Sequence, residues 1–167
     1  MPLWIGADSK NDLAVLRIET EEKLPWVAPG RSSDLMVGEP VIAIGNPFGL
    51  GLTVTTGIVS ATRGMGDDSG QFQIDAAVQP GSSGGPIYDE NGNIVGVVIA
   101  QLNKMKFAEQ LGSHPENVNF GIKASTVKQF LNTSGLPTNW SERSQLMSTR
   151  DLAKIAESQT VMVVCHR

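Results

Sequence analysis

The chain has one cysteine, Cys165, among its 167 residues. A single thiol cannot form an intrachain disulfide, so the fold must rely on a hydrophobic core instead of cross-links. Long apolar runs are also lacking, and none approaches the roughly 20 residues that a membrane-spanning helix requires. Residues 1–6 have neither the basic region nor the apolar stretch of a secretory signal peptide. These absences predict a chain that does not insert into a membrane.

Charge of either sign is sparse and scattered along the sequence. The 13 basic and 17 acidic residues give a formal net charge of -4. This balance gives no electrostatic reason to expect nucleic acid or an anionic membrane as the partner. The only histidines, His114 and His166, and the single cysteine do not make a metal-ligand set. We therefore predict no metal and no cofactor.

Glycine and proline are plentiful, at 18 and 9 residues. Their number favours short strands joined by turns over a helical bundle. Helices are predicted at 125–131, with Ser125 as N-cap, and near 149–156, and residues 101–117 are expected to be a long loop or a loop with a short helix. The order of short strands favours an antiparallel barrel or sandwich. The predicted strands occupy residues 13–18, 41–44, 53–60, 72–78, 86–88, 94–100, 118–122 and 160–165.

Residues 81–86 read GSSGGP and form the strongest candidate for a catalytic segment. A serine hydroxyl is a weak nucleophile that needs a base and a site for the developing oxyanion. Gly81, two positions before Ser83, lets the backbone turn so that the amides of Gly81 and Ser83 face one pocket. Such an oxyanion hole is worth ~2.7–4 kcal/mol per donor. Taken alone, the run is equally compatible with a glycine-rich hairpin that contains an incidental serine.

The surrounding sequence closely resembles the HtrA/Deg family of trypsin-like serine proteases. The segment QIDAAVQPGSSGGPI at 73–87 resembles the nucleophile segment of that family. Other blocks of the family follow in the right order, and the resemblance covers roughly residues 6–134. These blocks are VIAIGNPFGL at 41–50, TVTTGIVS at 53–60, NGNIVG at 91–96 and NFGI at 119–122.

The resemblance implies an all-β chymotrypsin/trypsin-like double β-barrel. The chain would supply the C-terminal barrel, part of the N-terminal barrel and a C-terminal helix. Residues 1–134 would be a partial protease domain, and 135–167 a linker with a short helix-strand tail of unknown role. The implied activity is that of a serine endopeptidase, which hydrolyses peptide bonds through an acyl-enzyme.

The resemblance also implies the other site residues. Asp12, directly before the apolar run 13–16, would orient the catalytic histidine. Asp12 could instead cap a turn, since Asp8 and Asp34 are equally acidic neighbours. By analogy with trypsin-like enzymes, the strand containing Val98, Ile99 and Ala100 would pair with an extended substrate. Its small and aliphatic side chains predict a shallow, uncharged specificity pocket.

The expected catalytic histidine is missing from its place in the sequence. In a chymotrypsin fold the triad follows the chain order His, Asp, Ser, and none of the eleven residues before Asp12 is histidine. We interpret His114 as a polar loop residue and His166 as a tail residue. The sequence is thus expected to be a fragment that is inactive by itself.

Two other functions stay open from the sequence. The chain could be a non-catalytic peptide-binding or chaperone-like module derived from the protease fold. A serine–lysine dyad is a remote third hypothesis, since no lysine near residues 81–86 is a candidate for the base. The resemblance implies extended or unfolded polypeptide substrates and a periplasmic or extracytoplasmic setting. It is compatible with a homo-oligomer, although no sequence feature indicates one.

Overall fold

The computed structural model describes residues 3–26, 29–30, 32, 34–99, 117–136 and 138–164. It contains a two-stranded hairpin and a closed six-stranded barrel. The hairpin consists of β1 (Leu3–Asp8) and β2 (Leu13–Arg17). Two α-helices follow the last strand, α1 (Ala124–Thr133) and α2 (Thr149–Gln159). The barrel strands are β3 (Pro40–Gly45), β4 (Thr53–Ala61), β5 (Gln71–Ile74), β6 (Pro86–Tyr88), β7 (Ile94–Val98) and β8 (Asn119–Lys123).

The barrel closes in the order β3-β4-β5-β8-β7-β6 through antiparallel pairs. Its interior is filled by aliphatic side chains around the ring of Phe72, which is fully buried. Gly96 and Gly121 make room for this ring, because a Cβ added at either position would lie 2.5–2.8 Å from the Phe72 Cε1 atom. The predicted all-β barrel with a C-terminal helix is confirmed.

Strand β3 is buried on both of its faces, which explains its continuous apolar sequence. Val41 and Ala43 belong to the cluster inside the barrel. Ile42 and Ile44 face outward and pack with Tyr88 against α2. This second cluster gives the outer surface of the barrel a small core of its own.

Helix α2 is fixed at both ends. The Ser148 hydroxyl accepts a hydrogen bond from the Asp151 amide at 3.2 Å, which satisfies an amide at the start of the helix. Leu152 and Ala156 are buried against the barrel. At the other end, the Tyr88 hydroxyl donates to Gln159 Oε1 at 3.0 Å. The helix predicted near 149–156 is thus present and three residues longer.

The polar stretch before α2 is held by Asn93, in the turn between β6 and β7. The Asn93 amide group donates to the Arg143 carbonyl at 3.0 Å, and its oxygen accepts from the Arg143 amide at 3.2 Å. The Ser141 hydroxyl donates to the same oxygen. The Asn93 side chain therefore binds both the amide and the carbonyl of Arg143, as the backbone of a neighbouring strand would.

Three local predictions need correction. Residues 160–164 form no strand, so the strand predicted there is wrong for the part of 160–165 that the structure describes. Strand β5 ends at Ile74, because the Asp75 carboxylate accepts from the Ile58 amide at 2.6 Å and replaces a ladder partner. Helix α1 begins after Lys123, and the predicted N-cap, Ser125, lies within it. The hairpin strand β1 was not predicted.

Within the described residues, no helix is both long and apolar enough to cross a bilayer.

Candidate active site

The turn before Ser83 is a type II β-turn formed by residues 79–82. The Ser82 amide donates to the Gln79 carbonyl at 3.0 Å. Pro80 occupies the second position, where its ring sets φ, and Gly81 the third, with φ of 99°. A side chain at Gly81 would also place its Cβ 2.5 Å from the Asn46 carbonyl oxygen. Proline followed by glycine therefore determines this turn locally, as the sequence predicted for Gly81.

Two adjacent serines have opposite environments after this turn. Ser82 is buried, and its side chain packs against Gly45, where no Cβ would fit. Ser83 is exposed. The chain is anchored directly afterwards, since the Gly84 amide donates to the Val98 carbonyl and the Val98 amide to the Gly85 carbonyl, both at 2.9 Å. The structure thus presents the hydroxyl of Ser83, rather than that of Ser82, at the surface.

The predicted oxyanion donors are the amides of Gly81 and Ser83. Within the described residues, neither amide donates a hydrogen bond to a backbone carbonyl. Both residues are exposed. Amides that have no protein acceptor remain available to a substrate oxygen, which is the property an oxyanion hole needs.

The predicted substrate-pairing strand is only partly available. Val98 is buried in the barrel core, and both of its backbone groups already bond to residues 84 and 85. The Ile99 amide donates to the Phe120 carbonyl at 3.1 Å, and its side chain is half-buried. Ala100 lies outside the described residues. Of the described pair, Ile99 is the better placed to contact a substrate.

Asp12 lies in the turn between β1 and β2, is exposed and has a φ of 54°. Turn capping falls to Asp8, whose carboxylate accepts from the Asn11 side chain at 2.6 Å and from the Asn11 and Lys10 amides at 3.1 and 3.0 Å. These hydrogen bonds, above all that from the Asn11 side chain, lower the pKa of Asp8. The spacing of Asp8 and Asn11 in a polar turn was the available signal.

The turn that holds Asp12 lies beside the loop before β5 and the start of α1. Residues of this turn line a cavity of about 480 Å³ together with Gly70 and Thr126. Gly70 precedes β5 and Thr126 follows β8, so this cavity borders the barrel end at which β5 begins. Ser83 lies at the other end, beside the last residue of β7. Among the described residues, no hydrogen bond joins Asp12 to Ser83.

His114, His166 and Cys165 lie outside the described residues. Among the residues that the structure does describe, no group of histidine, cysteine, aspartate and glutamate could hold a metal ion.

The closed six-stranded barrel agrees with the trypsin-like fold that the sequence predicted. The chain belongs to the trypsin-like peptidase domain family, whose model matches residues 3–97. Its relatives confirm the resemblance to HtrA/Deg proteases. The chain is 48% identical over 129 residues to a "Probable periplasmic serine endoprotease DegP-like" of Bartonella henselae, covering 75% of the chain and 24% of the relative.

Two further relatives show how far the similarity extends. The protein of the same description from Brucella suis is 46% identical over 130 residues, which cover 75% of the chain and 24% of that protein. The "Uncharacterized protein y4bJ" of Sinorhizobium fredii is 34% identical over 166 residues, which cover 97% of the chain and 26% of that protein. The chain spans about a quarter of the length of these relatives.

Proposed function

We propose that this chain carries the nucleophile-bearing barrel of an HtrA/Deg-type serine endopeptidase. The observation that supports this most strongly is the turn at Pro80 and Gly81, which exposes Ser83. The amides of Gly81 and Ser83 donate to no backbone carbonyl of the described residues. The matching of the trypsin-like peptidase family over residues 3–97 supports the same conclusion.

The proposed reaction uses Ser83 as a covalent nucleophile. Its oxygen attacks the substrate carbonyl carbon while a histidine base accepts the hydroxyl proton, and the oxyanion is held by the amides of Gly81 and Ser83. The histidine then protonates the leaving amine, and water hydrolyses the acyl-enzyme by the same route. Asp12 is the proposed partner that orients the imidazole.

We further propose that the base is not among these 167 residues, since both histidines follow Ser83 in sequence. The isolated chain is therefore expected to leave casein intact, measured as the release of fluorescent fragments from labelled casein. The Ser83→Ala variant should give the same background rate, because no general base is available to activate the hydroxyl.

Two alanine variants make this assay decisive. If the chain cleaved casein, and Ser83→Ala abolished this cleavage while Ser82→Ala retained it, the chain would have a complete catalytic centre. This result would contradict the proposal that the base is not among these residues. If Ser82→Ala abolished cleavage and Ser83→Ala retained it, the nucleophile would be Ser82, and our assignment of Ser83 would be wrong.

A peptide-binding module is the second candidate, and the surface beside the site favours it. Phe48 and Leu50 are 66% and 85% exposed, and the Phe48 amide donates to the Pro80 carbonyl in front of the Ser83 turn. Exposed apolar side chains at this position could capture unfolded chains. Binding of fluorescein-labelled unfolded casein without cleavage, weakened by Leu50→Ser, would support this function.

The biological setting is proposed from the relatives. The relatives from Bartonella henselae and Brucella suis are described as probable periplasmic serine endoproteases. From them we infer an extracytoplasmic site of action on extended polypeptides. Self-association is part of the same proposal.

A further inference from the structure

A second cleft lies away from Ser83, where the tail crosses the start of β7. It has a volume of about 600 Å³ and is open to solvent. Three parts of the chain form its walls: residues 23–26, the start of β7, and the tail with the end of α2. The lining residues that matter here are Lys23, Trp26, Ile94, Trp140, Arg143 and Gln159.

The walls of this cleft are tied to one another. Pro29 forms a parallel bridge with Ile94, and the Ser141 amide donates to the Pro29 carbonyl at 2.8 Å. Gln159, at the end of α2, donates to the Trp26 carbonyl at 3.5 Å and accepts from the buried Tyr88 hydroxyl. The cleft is therefore supported by the barrel and by α2.

Two tryptophans give the cleft aromatic faces. Trp26 is 72% exposed, which is unusual for so large an apolar side chain. Trp140 is half-buried, and the Lys128 ammonium lies 3.9 Å from the centre of its ring. This cation–π contact orients the indole. Aromatic faces in an open groove are suited to proline and aliphatic side chains of an extended peptide.

The charge of the cleft is opposite to that of the chain. Lys23 and Arg143 line it, and none of its described lining residues is acidic, whereas the whole chain has a formal net charge of -4. The Arg143 guanidinium donates to the Gly92 carbonyl at 3.3 Å through one nitrogen, and the rest of its fork can bind an anion. A carboxylate is the complementary group that a peptide can supply.

We propose that this cleft binds an extended peptide in which a carboxylate lies next to proline or aliphatic residues. The carboxylate is either the C-terminus of the peptide or an acidic side chain. The site is separate from the proposed active site, since it borders Ile94, whereas Ser83 lies beside Val98. Four residues of a strand place these positions about 13 Å apart. Binding here does not depend on peptide-bond hydrolysis.

Tryptophan fluorescence of the full chain can test this proposal. The chain has three tryptophans, and Trp4→Phe leaves only the two in the cleft. Three probes are titrated: an acetylated Leu-Pro-Leu-Ala peptide with a free C-terminus, the same peptide amidated, and an amidated Leu-Pro-Leu-Glu peptide. We expect a saturable change with at least one carboxylate-bearing peptide, and binding at least about tenfold weaker for the neutral amide.

The two carboxylate probes distinguish a C-terminus from an acidic side chain. Lys23→Gln should weaken binding about threefold to fivefold, as expected for an exposed ion pair, while the matched Lys10→Gln in the hairpin turn should not change it. Trp26→Ala, followed through Trp140, should weaken it about tenfold. Equal binding of the neutral peptide, no saturable change with any probe, or equal effects of Lys23→Gln and Lys10→Gln would overturn the proposal.

Discussion

Replacing Phe72 by alanine is expected to lower the free energy of unfolding by about 3–5 kcal/mol, the usual cost of removing a buried aromatic ring. The ring is fully buried in the barrel, and Gly96 and Gly121 both lie against its edge. These glycines have no side chains that could move into the space. The cavity therefore stays open, and the cost should fall in the upper part of this range. Urea unfolding followed by circular dichroism measures it.

Phe48→Ala is the matched control for this experiment. It removes the same ring from a side chain that is 66% exposed, and we expect a change within about 0.5 kcal/mol. Similar losses for the two variants would show that the barrel is not filled around Phe72.

Replacing Leu152 by alanine should destabilise the chain by about 2–5 kcal/mol and loosen α2 from the barrel. Leu152 is buried and packs with Ile42, Ile44 and Tyr88. Leu146→Ala is the matched control, since Leu146 is 71% exposed. A loss no larger for Leu152→Ala than for this control would mean that α2 does not share the folded core. It would leave the tail as the separate segment that the sequence predicted.

The ionisation of Tyr88 reports on the same contact, because the chain has only one tyrosine. Burial raises the pKa of its hydroxyl to about 12. The folded state keeps a proton that the unfolded chain loses near its ordinary pKa of about 10. This stabilisation is complete below pH 10 and is lost as the pH rises towards 12. Absorbance at 295 nm should show a titration near pH 12, shifted down towards 10 in Leu152→Ala.

Local sequence signals predicted the barrel well. Strands rich in β-branched residues alternate with turns, and Pro80 followed by Gly81 encodes the turn before Ser83 without help from distant residues. The apolar run of β3 also predicted a buried strand. The sequence around β3 did not indicate that α2, more than a hundred residues later in the chain, covers Ile42 and Ile44. That contact depends on the whole fold, which local patterns do not describe.

The errors have the same physical origin. No sequence pattern singled out Asn93, yet its side chain binds the backbone of Arg143, fifty residues away. Strand β5 is cut short by a bond from the Ile58 amide to Asp75, which no periodicity reveals. The position of Asp12 relative to Ser83 is likewise a tertiary property. The role of Asp12 therefore stays a proposal that the family resemblance supports.

Diisopropylphosphorylation of Ser83 tests the nucleophile assignment most directly. Diisopropyl fluorophosphate, which loses fluoride to an activated serine oxygen, is added to the isolated chain and to a chimera. In the chimera, residues 3–167 follow the part of the Bartonella henselae relative that precedes its counterpart of residue 3. Mass spectrometry of the digested protein locates the added group. We expect it on Ser83 in the chimera, and not in the isolated chain or in the Ser83→Ala chimera. If the chimera cleaved casein but carried the label on another residue, Ser83 would not be the nucleophile. Rapid labelling of Ser83 in the isolated chain would contradict the proposal that this chain has no base.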